Sequence, residues 1–452
     1  MGKYQKLLCI MLAVIMLISV SACDNGNKSA DTDKAKEPVI EGDSEMKETD
    51  TLNEVTDDKN ESVPADTVED SEKDSDTAIE ETDSKSEETS KKEEESTDAA
   101  TEAETEDPNA VKNITAVSPE VGAVVVLAND DIYSWWKDYV WKKNDSEAYY
   151  THEDQYYPNS VTLQWEVAEA ADYYRVSISK NANMSDSDNY VVNACSVELK
   201  SLFVATDYYW QVDAVYSDKT LRSAVYSFAT AESPRCVEIE GVSNTRDIGG
   251  IEYSNGYRIK QGMIYRGGKL ETITPEGLDF FVNELGLRTD LDLRTPGEGG
   301  AGSVSPLGAD INYVNIDGRY YTGSKGITTE EGKALFAQEI RLFTNPDNYP
   351  IYIHCSLGRD RTGTLAFVLE ALCGANINQL IMDYELSVFS VTGTLDNASV
   401  TAIKNNIKAT YDYIATFEGV GLAGKTENYL LSIGITAEEI RAIKDILLEE
   451  VK

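Results

Sequence analysis

Residues 350–363 have the sequence Pro-Ile-Tyr-Ile-His-Cys-Ser-Leu-Gly-Arg-Asp-Arg-Thr-Gly, and an apolar run with Leu365 and Val368 follows them. The apolar residues before His354 are typical of a buried strand, and the later run is typical of a buried helix. A strand, a tight loop and a helix start together present backbone N–H groups to an anion, to which the helix dipole adds positive potential. We name residues 354–363 the anion loop, and Gly358 allows it to curl.

Cys355 begins the anion loop, and Arg361 stands six positions later. The N–H groups and the arginine both favour thiolate over thiol, so the pKa of Cys355 should lie well below the free value of about 8.5. The planar guanidinium of Arg361 is suited to two phosphate oxygens. A thiolate nucleophile inside an anion cradle predicts phosphoryl transfer through a phosphocysteine.

The pattern H-C-x-x-G-x-x-R-[ST] resembles the signature of the cysteine-dependent protein tyrosine phosphatase superfamily. The loop is similar to that of its bacterial tyrosine and dual-specificity branch, H-C-x-x-G-K-D-R-T-G, from which Arg359 departs while keeping the charge. Three upstream segments also resemble this branch, and Glu298 accompanies the last: Asn-Thr-Arg-Asp-Ile-Gly-Gly at 244–250, Ile-Tyr-Arg-Gly-Gly at 264–268 and Asp-Leu-Arg at 292–294. The resemblance implies a tyrosine-phosphatase-like α/β domain over residues 233–452.

The resemblance also implies roles for single residues. Cys355 is the nucleophile, Arg361 holds the phosphate, and Thr362 donates a hydrogen bond to the thiolate. His354 orients the loop from behind, and no cofactor or metal is implied. The phosphate-binding residues are Ser356, Leu357, Gly358, Arg359, Asp360 and Arg361.

Two aspartates are candidates for the general acid that protonates the leaving oxygen. In the branch that this loop resembles, an aspartate within the loop is favoured, which here is Asp360. Asp317 follows a predicted strand, where other members of the superfamily carry a mobile acid loop. We favour Asp360, and Asp317 remains the alternative.

Several further residues are interpreted as supporting ones. Arg246 and Asp247 are expected to form a buried ion pair that fixes the entry loop of the domain. Arg294 is expected to line the edge of the pocket, and Asp292 to support the anion loop. Cys373, on the apolar helix, is expected to be a small buried hydrophobe.

Helix and strand signals alternate after residue 233, which indicates an α/β domain. Thr274 and Pro275 are typical of a helix start, with Gly286 as its stop. The pattern predicts a strand at 289–293, a helix at 328–343 and a capping box formed by Thr436 and Glu439 before the last helix.

Residues 113–232 have a different pattern. Three runs alternate apolar and polar residues with period two, at 161–167, 174–178 and 208–215, which predicts an all-β antiparallel sandwich. The spacing of these residues resembles a fibronectin type III module: Trp165, Tyr174, Leu202, Thr206, Tyr208 and Val212. The fibronectin type III pattern does not account for an aromatic insertion at residues 132–157. We interpret its aromatic side chains as packing residues, and a protein- or glycan-binding face is the alternative.

The N-terminal segment is predicted to direct the chain to the membrane. Residues 1–22 have a basic start, an apolar run and small residues before Cys23, which resembles a bacterial lipoprotein signal with Cys23 as the lipidated residue. An ordinary signal peptide is the alternative. The acidic linker (residues 23–112) carries 32 acidic and 9 basic residues between positions 24 and 110 and no aromatic one. It is expected to be a disordered spacer that keeps the folded part clear of the envelope, and an acidic tail that binds cations or proteins is the alternative.

Composition excludes several classes of function. The net charge of −40 argues against a nucleic-acid partner, because phosphates would be repelled. Two histidines argue against a multi-histidine metal site. The resemblances of the N-terminal segment and of the anion loop together imply a membrane-anchored extracytoplasmic phosphatase acting on phosphotyrosine proteins or phosphoinositides. The alternatives are a hydrolase of soluble inositol phosphates, or a non-enzymatic adhesion protein that binds phosphate ligands.

Overall fold

The computed structural model describes residues 114–140, 156–318, 326–390 and 407–451. The predicted signal peptide, Cys23, the acidic linker and part of the aromatic insertion lie outside these residues. None of the helices within the described ranges has the length and apolar character needed to cross a membrane.

The first part of the described chain forms two sheets around one cluster of buried side chains. The elements are β1 Ile114–Ser118, β2 Val124–Val125, α1 Asp130–Lys137, β3 Val161–Val167, β4 Tyr173–Ser179, β5 Asp188–Val192, β6 Ser196–Leu199, β7 Asp207–Val215, β8 Thr220–Arg222 and β9 Tyr226–Thr230. One sheet has the order β1-β3-β6 and the other β2-β9-β7-β4-β5, with β8 beside β7. Only β2 and β9 are parallel among these pairs of described strands.

The three alternating runs are confirmed as strands, namely β3, β4 and β7. In β3 the apolar side chains face the core and the polar ones face solvent, as the period of two requires. Trp165 and Trp210 are fully buried between the sheets. The hydroxyl of Tyr208 accepts a hydrogen bond from the Phe203 N–H at 2.8 Å, which closes the turn before β7 in the manner of a tyrosine corner.

The second part of the described chain is an α/β domain around a six-stranded sheet. The strands are β10 Arg235–Cys236, β11 Arg246–Asp247, β12 Tyr257–Ile259, β13 Ile264–Gly267, β14 Thr289–Asp292, β15 Asn312–Asn315, β16 Ile351–His354 and β17 Leu448–Glu450. The order in the six-stranded sheet is β10-β11-β13-β16-β14-β15. The helices are α2 Pro275–Asp279, α3 Glu330–Arg341, α4 Asp360–Cys373, α5 Ile377–Glu385, α6 Gly421–Ser432 and α7 Ala437–Leu447.

Parallel pairing in the middle of this sheet determines where the site lies. β16 is flanked by β13 and β14, and β15 extends the parallel set. His354, the last residue of β16, pairs with Gly267 on one side and Asp292 on the other. Because the carboxyl ends of parallel strands meet at one edge, the loops after β13 and β14 lie beside the anion loop, which follows β16.

The local helix signals are largely confirmed. Thr274 caps α2 by accepting from the Gly277 N–H, although the α-helix ends at Asp279 and continues as a π-helix over Phe280–Glu284. Thr436 and Glu439 form the capping box of α7. In α4 every residue from Arg361 to Cys373 is buried, so the helix that follows the anion loop runs through the core.

The described part of the aromatic insertion packs against the α/β domain. Trp135 of α1 is 3% exposed, and its ring lies 5.2 Å from that of Phe389, centroid to centroid. The hydroxyl of Tyr139 donates to Glu385 at the end of α5 at 3.0 Å. For these residues the interpretation as packing is confirmed.

Candidate active site

The anion loop takes its shape from Gly358. Its φ of +67° lies in the left-handed region, and a Cβ atom there would lie 2.1 Å from the carbonyl of Gly267. Glycine is therefore required both by conformation and by space. The turn at Gly358 brings the chain from β16 to the start of α4 and leaves Cys355 at the base of the loop, 3% exposed.

The surroundings of Cys355 favour the thiolate over the thiol. Burial alone would raise the pKa of its thiol, but the Thr362 hydroxyl, the Arg361 guanidinium and the backbone N–H groups of Thr362 and Leu357 outweigh burial and lower the pKa. A buried sulfur surrounded by donors is the arrangement that activates a cysteine nucleophile.

Arg361 is oriented by a carboxylate that the sequence analysis quoted without assigning it a role. Glu298 accepts from Nη1 of Arg361 at 2.8 Å and from Nη2 at 2.5 Å, and Nη1 also donates to the Leu293 carbonyl at 3.2 Å. The Ser356 hydroxyl donates to the same carboxylate at 2.8 Å. These bonds lower the pKa of Glu298 to about 2, with the Arg361 bond as the largest cause.

His354 lies behind the loop, where the resemblance placed it. Its Nε2 is 2.9 Å from Asp290 Oδ1, and its Nδ1 is 3.3 Å from the Cys355 carbonyl oxygen. Burial opposes protonation of His354, yet the two buried carboxylates of Asp290 and Asp292 raise its pKa. The sequence analysis missed Asp290, although its position two residues before Asp292 in one strand places both carboxylates on the same face.

The two acid candidates lie in different surroundings. The carboxylate of Asp360 accepts a hydrogen bond from the Tyr384 hydroxyl at 2.6 Å and lies 3.5 Å from the Arg359 guanidinium. Asp317 accepts from the Thr295 hydroxyl at 2.8 Å, and the Thr295 N–H donates to Glu298. Asp360 thus belongs to the anion loop itself. Asp317 is connected to the loop by the chain of hydrogen bonds through Thr295 and Glu298 to Arg361.

The expected ion pair between Arg246 and Asp247 does not form. Adjacent residues of a strand point to opposite faces, and both lie in β11. Asp247 pairs with Arg235 at 2.5 Å and accepts from the N–H groups of Gly249 and Gly262. Arg246 instead pairs with Asp383 of α5 at 2.7 Å. Asp247 is therefore a structural residue on β11, which β13 separates from β16 and its anion loop.

Arg294 is buried beneath the site rather than at the edge of the pocket. It is 1% exposed, and its guanidinium contacts Asp292 at 2.8 Å and Glu271 at 2.7 Å. It also donates to the Gly299 carbonyl at 3.2 Å, which holds the turn that carries Glu298. Arg294 thus supports Arg361 indirectly.

The other described cysteines are free thiols. Cys195 and Cys236 are not bonded to each other, and Cys373 is buried in α4 as expected. Burial raises the pKa of Cys373 to about 12 and that of Cys236 to about 11. Because the pKa of Cys355 moves in the opposite direction, Cys355 differs electrostatically from both.

Comparisons with known proteins show that the second part of the described chain is similar to phosphatases. Residues 237–449 match the family model described as the tyrosine phosphatase family. A Cupriavidus necator protein named as a tyrosine-protein phosphatase is 23% identical over 177 residues, which are 34% of this chain and 64% of that protein. A Mycosarcoma maydis protein, named as tyrosine-protein phosphatase OCA1, is 28% identical over 28% of this chain and 77% of its own length.

Among solved structures, the core catalytic domain of the PP-IP phosphatase SIW14 from S. cerevisiae is 22% identical, covering 37% of this chain and 93% of that one with a TM-score of 0.22. The chain spans less than two thirds of the length of the Cupriavidus relative. The match to the tyrosine phosphatase family and the phosphatase-named relatives support a phosphoric monoester hydrolase domain within residues 237–449.

Proposed function

We propose that this protein is a membrane-anchored, extracytoplasmic phosphatase that hydrolyses phosphomonoesters through a phosphocysteine. The observation that carries the proposal is the position of Cys355, buried at the base of the anion loop beside Thr362 and Arg361, whose interactions lower the pKa of its thiol. A buried thiolate so arranged is suited to attack phosphorus.

In the first step the Cys355 thiolate attacks the phosphorus of the ester, an S–P bond forms and the P–O bond to the leaving group breaks. Arg361 and the loop N–H groups bind the equatorial oxygens, where negative charge develops. Asp360 gives its proton to the leaving oxygen, so that an alcohol or phenol departs.

In the second step water attacks the phosphocysteine and the S–P bond breaks. Asp360, now a carboxylate, takes a proton from the water, and inorganic phosphate leaves. The sulfur departs as a thiolate, which the Thr362 hydroxyl and Arg361 stabilise. The enzyme returns to its starting state without an external cofactor.

Phosphotyrosine proteins or phosphoinositides are the substrates that we propose. Leu357, at the tip of the anion loop, is 38% exposed and offers an apolar contact beside the phosphate site. Such a contact suits an aromatic ring or a lipid better than an inositol phosphate, which is polar on every side. A release assay for inorganic phosphate across phosphopeptides, phosphoinositides and phytate ranks the three classes.

The chemistry is tested with p-nitrophenyl phosphate. We expect turnover without added metal and inhibition by vanadate, and Cys355→Ser should abolish turnover while phosphate binding persists. Cys195→Ser, which removes a free thiol in the two-sheet region, is the matched control and should keep the wild-type rate. Normal turnover by Cys355→Ser would exclude the mechanism, and absence of turnover on every substrate would favour the adhesion protein.

Anchoring through a lipid on Cys23 is a separate part of the proposal. The expected result is that the wild-type chain partitions into detergent, whereas Cys23→Ala appears in the aqueous phase. A two-sheet module of the fibronectin type III kind would then present its surface to a protein or glycan outside the membrane. Equal partitioning of both chains would remove the lipid anchor from the proposal.

A further inference from the structure

The backbone carbonyls of the anion loop raise a structural requirement of their own. When the N–H groups of a tight loop converge on an anion, its carbonyl groups point outward and need donors elsewhere, because a buried carbonyl without a partner is costly. The carbonyls of residues 356–359 all receive hydrogen bonds from groups outside the loop.

Two side chains supply most of these bonds. The Asn244 amide donates to the Leu357 carbonyl at 3.0 Å. Nη2 of Arg266 donates to the Gly358 carbonyl at 2.9 Å and to the Arg359 carbonyl at 3.3 Å. The remaining donor, for Ser356, is the main-chain N–H of Lys269 at 3.4 Å.

Asn244 and Arg266 are themselves held by one buried network. Arg246 donates to the Asn244 side-chain oxygen at 2.7 Å and pairs with Asp383. The same carboxylate of Asp383 pairs with Arg266, which is fully buried. Asn244 adopts a φ of +60°, a left-handed conformation that asparagine tolerates better than most residues. The network thus gives each of the two side chains a fixed orientation.

We propose that Asn244 and Arg266 are positioning residues of the reaction: by holding the outward carbonyls of residues 357–359, they keep the loop N–H groups aimed at the sulfur and the phosphate. This inference rests on the proposed function. Two of the upstream motifs thereby gain a structural role, because residues 244–250 contribute Asn244 and residues 264–268 contribute Arg266.

The test has to distinguish the loss of positive charge near the Cys355 sulfur from the loss of hydrogen bonds to the loop carbonyls. In the described part of the chain, the charged or titratable groups that interact with the sulfur of Cys355 include Arg361 from α4, Arg266 from β13 and Tyr352 from β16. Replacing Arg266 therefore changes both the charge and the hydrogen bonds. Replacing Asn244 changes only the hydrogen bonds, and glycine fits the left-handed conformation of that position without strain.

The experiment compares Asn244→Gly, Arg266→Lys and Arg266→Met in the full chain. The pH dependence of iodoacetamide alkylation of Cys355, followed on its peptide by mass spectrometry, gives the thiolate pKa whether or not the chain turns over substrate. We expect Asn244→Gly and Arg266→Met to raise that pKa by about one unit and to lower kcat for p-nitrophenyl phosphate about 100-fold. Arg266→Lys, which keeps the charge, should recover part of both losses.

Arg235→Met is the matched control. Arg235 is buried like Arg266 and pairs with Asp247, but its other hydrogen bonds go to Tyr265 and to the carbonyls of Ser201 and Leu202, which lie outside the anion loop. The Arg235→Met variant should have a lower thermal stability than the wild type and the same alkylation profile at Cys355. Wild-type profiles and kcat in Asn244→Gly and Arg266→Met would overturn the inference. If the wild-type chain shows no turnover while the alkylation profiles shift as expected, the proposed function fails, and what stands is that Asn244 and Arg266 position the loop around the Cys355 sulfur.

Discussion

Glu298→Gln tests whether the orientation of Arg361 matters for the reaction. The carboxylate of Glu298 accepts two hydrogen bonds from the guanidinium end and one from the Ser356 hydroxyl. Glutamine keeps the size of the side chain but removes the charge and replaces one acceptor oxygen by a donor. Arg361 would then lose half of a bidentate pair and become free to rotate away from the phosphate.

The structure sets the size of the effect. The pKa of Glu298 falls from 4.5 to about 2, which corresponds to about 3 kcal/mol of preference for the charged carboxylate. Because its side chain is 36% exposed, solvent screening leaves about 1–2 kcal/mol. If all of this is lost from the transition state, kcat/KM falls about 5- to 30-fold. A lowered pKa means that the contribution is complete above about pH 4.5 and disappears only as the pH falls toward 2.

The assay is steady-state hydrolysis of p-nitrophenyl phosphate between pH 5 and 8, where the fall in kcat/KM should be constant. Glu439→Gln is the control, because Glu439 also pairs with an arginine, Arg341, at 3.1 Å but lies in α7. It should leave kcat/KM unchanged. A rise in kcat/KM for Glu298→Gln would refute the reasoning, because Glu298 would then compete with phosphate for Arg361.

Three further predictions concern the acid, the loop and the two-sheet region. Asp360→Asn should lower kcat by about 100-fold for esters with poor leaving groups and much less for p-nitrophenyl phosphate; a larger loss from Asp317→Asn would reverse the assignment. Gly358→Ala should abolish vanadate binding in calorimetry, since its Cβ would meet a carbonyl at 2.1 Å; retained binding would show that the loop can shift. Trp210→Ala should cost about 3–5 kcal/mol of unfolding free energy in urea titration while the Cys355 alkylation profile stays the same; an altered profile would mean that the two-sheet core reaches the site.

The local part of the structure was predictable because its determinants are close in sequence. Period-two alternation identified β3 to within a residue, since burial of one face and exposure of the other is a property of seven consecutive residues. The capping box of α7 needs only Thr436 and Glu439, three positions apart. The anion loop is likewise one continuous stretch, and its strand, turn and helix lie where the sequence indicates.

The partners of the charged side chains could not be predicted in the same way. Glu298 meets Arg361 across 63 positions, and Arg246 meets Asp383 across 137. Such pairs depend on which strand lies beside which, and a single sequence does not encode that order in any local pattern. The error at Arg246 and Asp247 has this origin, because neighbours in sequence were assumed to be neighbours in space although a strand sends them to opposite faces.

The pairing of charges around the loop bears on how the site attracts phosphate. Arg361, Arg294 and Arg266 are each paired with a carboxylate, so little net positive charge remains on them to attract an anion from a distance. The chain carries a net charge of −40, of which −23 lies between residues 24 and 110. Long-range attraction therefore contributes little, and recognition depends on short-range hydrogen bonds from backbone N–H groups that are already oriented. This dependence gives a reason why the buried side chains of Asn244 and Arg266 bond the outward carbonyls of the anion loop. What the surrounding structure has to maintain is the orientation of the N–H dipoles of the loop, rather than the amount of positive charge near it.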